Sequence, residues 1–200
     1  MKTKVITISR EFGSGGRTIG KLLAKDLNWK FYDKELVNKI SEQSNFAKDF
    51  IEKRGEYASS KSEFLYSLLE NFGTTNGGQS INDKLYITQA NIIKELAQEG
   101  HCIIVGRCAN HILRPRDDVF NIFIHADDEF KSQRIVRLYG ETEKTAISRL
   151  KDKDRRRAVY YKYYTGEKWG QIDNYDLALN SGKIGIDACV DLIARLIKNI

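Results

Sequence analysis

Proline, cysteine and histidine are all scarce in this sequence, and each scarcity excludes something. Of 200 residues one is proline, Pro115, so no proline-rich linker divides the chain, and one domain is expected at this length. Three cysteines (Cys102, Cys108 and Cys189) are an odd number and contain no CxxC pair. That pattern disfavours a disulfide scaffold and a structural zinc site. Three scattered histidines do not make a His-rich catalytic metal centre. No apolar run approaches the ~20 residues that span a bilayer. The opening stretch MKTKVITISREFG holds no apolar segment long enough for a secretory signal. A soluble, cytoplasmic protein with no membrane partner is the expectation. Internal repeats are also missing.

What is present is a composition that folds. Hydrophobic residues make up 41% and charged residues 30%, enough for a core and unlike a disordered chain. The formal net charge is +6, with both signs interspersed rather than gathered in a polybasic tail. That balance suits a nucleotide, a phosphorylated metabolite or a nucleic acid, and equally an ordinary solvated surface.

Short β-branched runs alternate with helical spacing. Residues 4–9 (KVITIS), 30–33 (KFYD), 101–105 (HCIIV), 120–125 (FNIFIH) and 175–180 (YDLALN) read as strands. Ile19, Leu22, Leu23 and Leu27 recur at helical spacing after the first strand. Residues 34–96 read as mostly helical, with Leu85, Ile92, Ile93 and Leu96 on one apolar face and a loop over 73–80 (GTTNGGQS). Residues 127–164 read as charged and helical, and Ile186, Cys189, Val190, Ile193 and Ile197 stripe a last helix. Five buried strands separated by helices predict an α/β fold with a five-stranded parallel sheet. Ligands bind such sheets beyond the carboxyl ends of the strands. That rule directs attention to residues 10–18, Asp33, residues 106–108, Asp127 and residues 181–183.

The first of these places is the richest. Residues 9–18 read SREFGSGGRT, between a strand and an amphipathic helix. Gly13, Gly15 and Gly16 let the backbone turn tightly and approach a ligand, and backbone N–H groups at a helix start favour an anion. Thr18 is placed to cap that helix or hold a metal ion, and Arg17 adds positive charge. Compared with G-x-x-x-x-G-K-[ST], Gly16-Arg17-Thr18 matches the end with arginine for lysine, and Glu11 stands where the first glycine belongs. A second register takes Gly15 as that glycine and sets Gly16 at the lysine. Neither register holds a lysine. A dinucleotide fingerprint is disfavoured, because Thr18 stands where its third glycine is required.

Other candidates follow the remaining strands. Gly106-Arg107 puts a guanidinium at the ligand edge, against the plainer reading of a surface salt bridge. In RLKDKDRRRAVYYKYY (149–164), Arg155, Arg156 and Arg157 fan around a helix, so all three cannot face one ligand. Arg149, Lys153 and Arg157 form one ridge, and Asp154 shares a face with Arg157. Such a ridge suits either phosphate binding or a solvated, ion-paired face. Tyr160, Tyr161, Tyr163 and Tyr164 read as packing residues, with base stacking as the alternative. Asp33 and Asp127 both read as candidate helix N-caps; Asp33 is also placed to position a substrate hydroxyl, and Asp127 with Asp128 is a weak Mg²⁺ candidate. Cys108 has no His partner in sequence and is a poor nucleophile candidate, and His125 reads as structural.

Taken in order, SREFGSGGRTIG, FYDKEL, IIVGRCAN, DKDRRRAVYY with YTGEKWG, and YDLALNS resemble the cytidylate kinase-like family of P-loop nucleoside monophosphate kinases along nearly the whole chain. The resemblance implies a three-layer P-loop kinase fold in a single domain. It also implies a helical NMP-binding insertion at about 34–99, an arginine-rich lid at about 149–170, and ATP with Mg²⁺. Gly13, Ser14, Gly15, Gly16, Arg17 and Thr18 would form the phosphate loop, with Thr18 on the metal ion. Asp33 would lie near the substrate sugar, Arg107 near the monophosphate, and Asp154 and Arg157 would recognise nucleotide and hold phosphates. Arg17, with Arg155 or Arg157, would neutralise the transferring phosphoryl group. The sequence departs from cytidylate kinases at Cys108, where they carry Asp, at the loop lysine, and after Asp33, where residues 34–40 lack their arginine. Two rivals stay open: a non-catalytic nucleotide sensor with a degenerate loop, and a nucleic-acid binder using the arginine–tyrosine segment. The kinase reading needs only a small-molecule nucleotide substrate and no nucleic acid.

Overall fold

A computed structural model describes residues 3–44, 46–58 and 80–200. The loop expected over 73–80 lies outside the described residues except for Ser80. All expected strands form: β1 (Val5–Arg10), β2 (Lys30–Tyr32), β3 (Cys102–Val105), β4 (Val119–His125) and β5 (Leu177–Asn180). They build one five-stranded sheet in the order β2-β3-β1-β4-β5. Every neighbouring pair is parallel, with Ile6 opposite both Ile103 and Phe120.

Alternation along the strands makes two cores. Ile6, Ile8, Ile103, Val105, Ile122 and Ile124 face helices α1 (Gly16–Leu27) and α9 (Ile186–Asn199), which contribute Ile19, Leu23, Cys189 and Ile193. On the opposite face, Val5, Cys102 and Ile104 meet α2 (Lys34–Gln43), α4 (Ile81–Glu99) and α5 (Ala109–Ile112). Fully burying one such Ile or Leu stabilises the fold by about 1.5–3 kcal/mol. These helices on both faces make a three-layer α/β architecture. A polar pair crosses the sheet, with the Thr7 hydroxyl donating to Asn121 Oδ1 at 2.7 Å. It is satisfied, so its burial costs little.

Between β2 and β3 the chain forms α2, α3 (Lys48–Arg54) and α4, whose first turn is capped by Ser80 Oγ accepting from the Asp83 N–H at 3.1 Å. Between β4 and β5 the stretch expected to be helical over 127–164 forms two helices. Helix α6 (Asp128–Tyr139) stops at Gly140, which has a left-handed φ of 72°, and α7 (Ala146–Thr165) restarts after Thr145, whose hydroxyl accepts from the Ser148 N–H at 3.3 Å. A glycine in that conformation ends a helix, and threonine starts one, which overrides the charged periodicity. A short α8 (Ser181–Ile184) follows β5. Among the described residues no helix is long and apolar enough to cross a membrane.

Candidate functional site

The glycine-rich loop leaves the carboxyl end of β1, the central strand, and enters α1. Gly13 and Gly15 take φ of 85° and 86°, a conformation that penalises any side chain. Gly15 stands at the N-cap of α1 without a side-chain hydrogen bond, and no acid occupies the first turn. The first N–H groups of α1 therefore have no capping side chain. Gly16 packs against the strand so closely that a Cβ there would lie 2.5 Å from Arg10 Cβ. No lysine side chain fits at that position. Arg17 turns aside to Asp33, with Nε 2.5 Å from Oδ2.

The loop is closed from behind. Ser14 is fully buried, its hydroxyl donating to the Glu11 carbonyl at 2.9 Å, while Ser181 Oγ donates to the Ser14 carbonyl at 2.5 Å. Glu11 in turn accepts from Lys131 Nζ at 2.8 Å and from the Ala126 N–H at 3.2 Å. At the front, Thr18 Oγ1 accepts from Arg134 Nη2 at 2.8 Å. The hydroxyl proposed for a metal ion thus already meets a guanidinium.

Beside the loop, three arginines converge on one carboxylate. Arg10, Arg107 and Arg157 are each under 10% exposed. Glu56, which follows α3, takes both Arg10 terminal nitrogens, one at 2.9 Å, and lies 3.8 Å from Arg157 Nε. Burial opposes both charges, yet their mutual attraction wins. The Arg10 pKa is raised, and the Glu56 carboxyl, although buried, is held down at about 2 by Arg10, Arg157 and Arg107. Arg107 donates to Gln89 Oε1 at 2.5 Å, and Gln89 Nε2 donates to the buried Tyr160 hydroxyl at 3.1 Å. Gly106, Arg107 and Cys108 all have positive φ (74°, 56° and 56°). Strain of this kind in non-glycine residues clusters where side chains are aimed for function. About 20 Å³ of cavity remains among Ser9, Arg10, Glu56, Arg107, Arg157 and Trp169, room for one water.

Helix α7 closes this cluster. Asp154 Oδ1 accepts the Phe12 backbone N–H at 2.7 Å and lies 3.3 Å from Arg157 Nη1. Burial raises the Asp154 carboxyl to about 6, against the pull of the Phe12 N–H and Arg157. Lys153 Nζ sits 4.2 Å from the centre of the Phe12 ring, and Arg157 Nη2 donates to the Tyr57 hydroxyl at 2.8 Å. Of the two α7 arginines expected to join Arg17 at the transferring phosphate, only Arg157 turns inward. Arg155 pairs with Asp152 at 2.9 Å on the exposed face, because a residue two positions away on a helix points about 200° around the axis. Tyr160 and Tyr161 are buried in the core and Tyr164 stacks on Tyr86 at 4.0 Å, so these rings pack rather than stand free for bases.

Asp33 and Asp127 do sit at helix N-caps, yet neither side chain makes a capping hydrogen bond. Asp33 is drawn off by Arg17, and Asp127 lies 3.6 Å from Lys183. The Cys108 thiol is buried and pushed well above its ordinary pKa by that burial, unsuited to nucleophilic attack. Among the described residues no three His, Cys, Asp or Glu side chains gather as a metal site. Sequence reasoning missed Glu56 and Arg134. Glu56 lies in an insertion without periodicity, and Arg134 is one of several charges on a helix.

Known proteins converge on the same architecture. Residues 5–183 match the family described as "Cytidylate kinase-like family". The chain is 24% identical over 193 residues to a cytidylate kinase of Ignicoccus hospitalis, covering 96% of this chain and 98% of that one. It is 26% identical over 200 residues to a cytidylate kinase of Archaeoglobus fulgidus, covering 96% and 94%. Among solved structures, an uncharacterized protein from Eubacterium ventriosum superposes with a TM-score of 0.73 at 28% identity, covering 99% of this chain and all of the other. A shikimate kinase from Bacteroides thetaiotaomicron, 16% identical, shares the fold at a TM-score of 0.56 over 98% of both chains. With a matched sequence model over most of its length and a kinase-type sheet beneath it, the chain belongs to the cytidylate kinase-like family.

Proposed function

We propose that this protein is an ATP-dependent phosphotransferase that moves the γ-phosphoryl group of ATP to a nucleoside monophosphate or a similar small anionic acceptor. The observation that carries this reading is the pairing of an uncapped glycine loop with a buried cluster of three arginines gathered around the Glu56 carboxylate. Backbone N–H groups of residues 13–18 cradle the donor phosphates. Arg10, Arg107 and Arg157 hold the acceptor's phosphate, which competes with the Glu56 carboxylate for the same guanidiniums. An acceptor that is already a phosphate anion needs no general base, so transfer rests on positioning and on positive charge around the equatorial oxygens. Closure of α7 over the loop, through Asp154 on the Phe12 N–H, excludes water and limits wasteful hydrolysis. Mg²⁺ would be held mainly by the substrate's own phosphates, with the Thr18 hydroxyl as the loop's candidate ligand, and would supply charge neutralisation between them. The absence of a carboxylate cluster among the described residues fits that arrangement.

Release of ADP, measured with Mg-ATP against a panel of nucleoside monophosphates, tests the reading. Acceptor-dependent ADP is the expected result, and Arg107→Met is expected to raise the acceptor KM at least tenfold while ATP binding holds. Equal, acceptor-independent ADP release across the panel, or none at all, contradicts a monophosphate kinase. One observation favours a second reading, a nucleotide sensor without turnover. Gly16 leaves no space for a loop lysine, and Arg17 is paired with Asp33. That reading predicts ATP binding with no ADP from any acceptor.

A further inference from the structure

The loop lacks a lysine, and the structure places a guanidinium beside it. Arg134 extends from α6 across the mouth of the loop. Its Nη2 donates to Thr18 Oγ1 at 2.8 Å, and its Nε lies 3.4 Å from where a Cβ on Gly15 would stand. Among the described residues no carboxylate pairs with Arg134; the charged neighbour that bears on it most is another cation, Arg137. Half-buried, it sits beside the positive end of α1 with no carboxylate partner among the described residues. Two like charges kept together out of water are unfavourable unless an anion lies between them. Arg17, the cation that the chain order puts in the loop, is by contrast already neutralised by Asp33.

We infer that Arg134 is the phosphate-binding cation of the glycine loop, gripping the donor nucleotide's phosphate chain from α6 in place of the missing loop lysine. The inference rests on the nucleotide-binding reading above and adds a residue to it. A guanidinium is suited to this place, because it forms two parallel hydrogen bonds to phosphate and needs no space inside the crowded loop. Gly13 is what lets α6 come close enough: a Cβ there would lie 2.9 Å from the Lys131 carbonyl, one turn before Arg134.

The test uses equilibrium binding of ATP, inorganic tripolyphosphate and adenosine to wild type, Arg134→Ala, Arg134→Lys and the charge control Arg195→Ala on the exposed face of α9. Arg134→Ala is expected to weaken ATP and tripolyphosphate by roughly tenfold or more, as loss of a charge-assisted hydrogen bond requires. Arg134→Lys is expected to recover part of the loss, and Arg195→Ala to bind as wild type does. Tripolyphosphate affinity unchanged in Arg134→Ala overturns the inference, as does a loss shared equally by adenosine, which would mean a base contact or a structural role. If wild type itself binds neither ATP nor tripolyphosphate, the nucleotide reading falls together with the inference.

Discussion

Glu56 ties together the arginines beside the loop. It pairs with Arg10, lies 3.8 Å from Arg157 and feels Arg107, and its acid group is held at about 2 against an ordinary 4.5, with burial opposing and the arginines prevailing. Replacing it with Gln takes the carboxylate away from the buried Arg10 guanidinium, and breaking a buried pair in this way costs about 3–5 kcal/mol. Glu56→Gln is therefore expected to melt well below wild type, and added sulfate or phosphate to restore the variant more than it stabilises wild type. Equal stabilisation of both proteins by the anions would show that the arginines do not form an anion seat. Asp154 has the opposite sign. Its folded-state pKa of about 6 lies above the ordinary 3.8, so the folded state binds the proton more tightly. Its contribution therefore improves as pH falls from above 6 to about 4, whereas that of Glu56 is complete above about 4.5 and drains away toward about 2. Melting curves between pH 3 and 8 are expected to lose the limb between about 6 and 4 in Asp154→Asn while the steeper acid loss stays. An unchanged limb would assign it to another group.

At the scale of elements, the loop and its helix depend on one close approach. A Cβ on Gly16 would lie 2.5 Å from Arg10 Cβ and 3.3 Å from Ile124 Cβ, the roots of strand side chains rather than their flexible ends. Gly16→Ala is expected to cost about 1–3 kcal/mol by overpacking and to weaken ATP binding by displacing the loop. Wild-type melting and affinity in that variant would mean that α1 tolerates a wider stand-off than its geometry implies. The elements themselves were largely readable. KVITIS, HCIIV and FNIFIH are β-branched runs too short for helices, and each formed a strand within a residue of its expected bounds. The break at Gly140 was hidden under continuous charge periodicity, because a helix stop depends on one glycine's conformation rather than on pattern.

Across the whole molecule, parallel order and two buried sheet faces were legible because strands without alternation toward solvent must be covered on both sides. The glycine loop was legible for the same reason, lying where such a sheet binds ligands. The partners of its charges were not. Arg17 meets Asp33 across the β1–β2 crossover, Glu56 reaches Arg10 from the insertion, and Arg134 reaches Thr18 from α6. These pairings span 16, 46 and 116 positions, read as differences between the paired residue numbers, and no local pattern encodes them. They decide which cation is free to meet phosphate, and hence whether a loop without lysine works. The most direct measurement is the thermal midpoint with Mg-ATP alone and with each nucleoside monophosphate added. A ligand that binds only the folded state must raise it, by about 2.7 kcal/mol of stability at one hundred times Kd. The account predicts a rise with ATP that grows when the correct monophosphate is added. No rise with ATP up to millimolar concentration would contradict it.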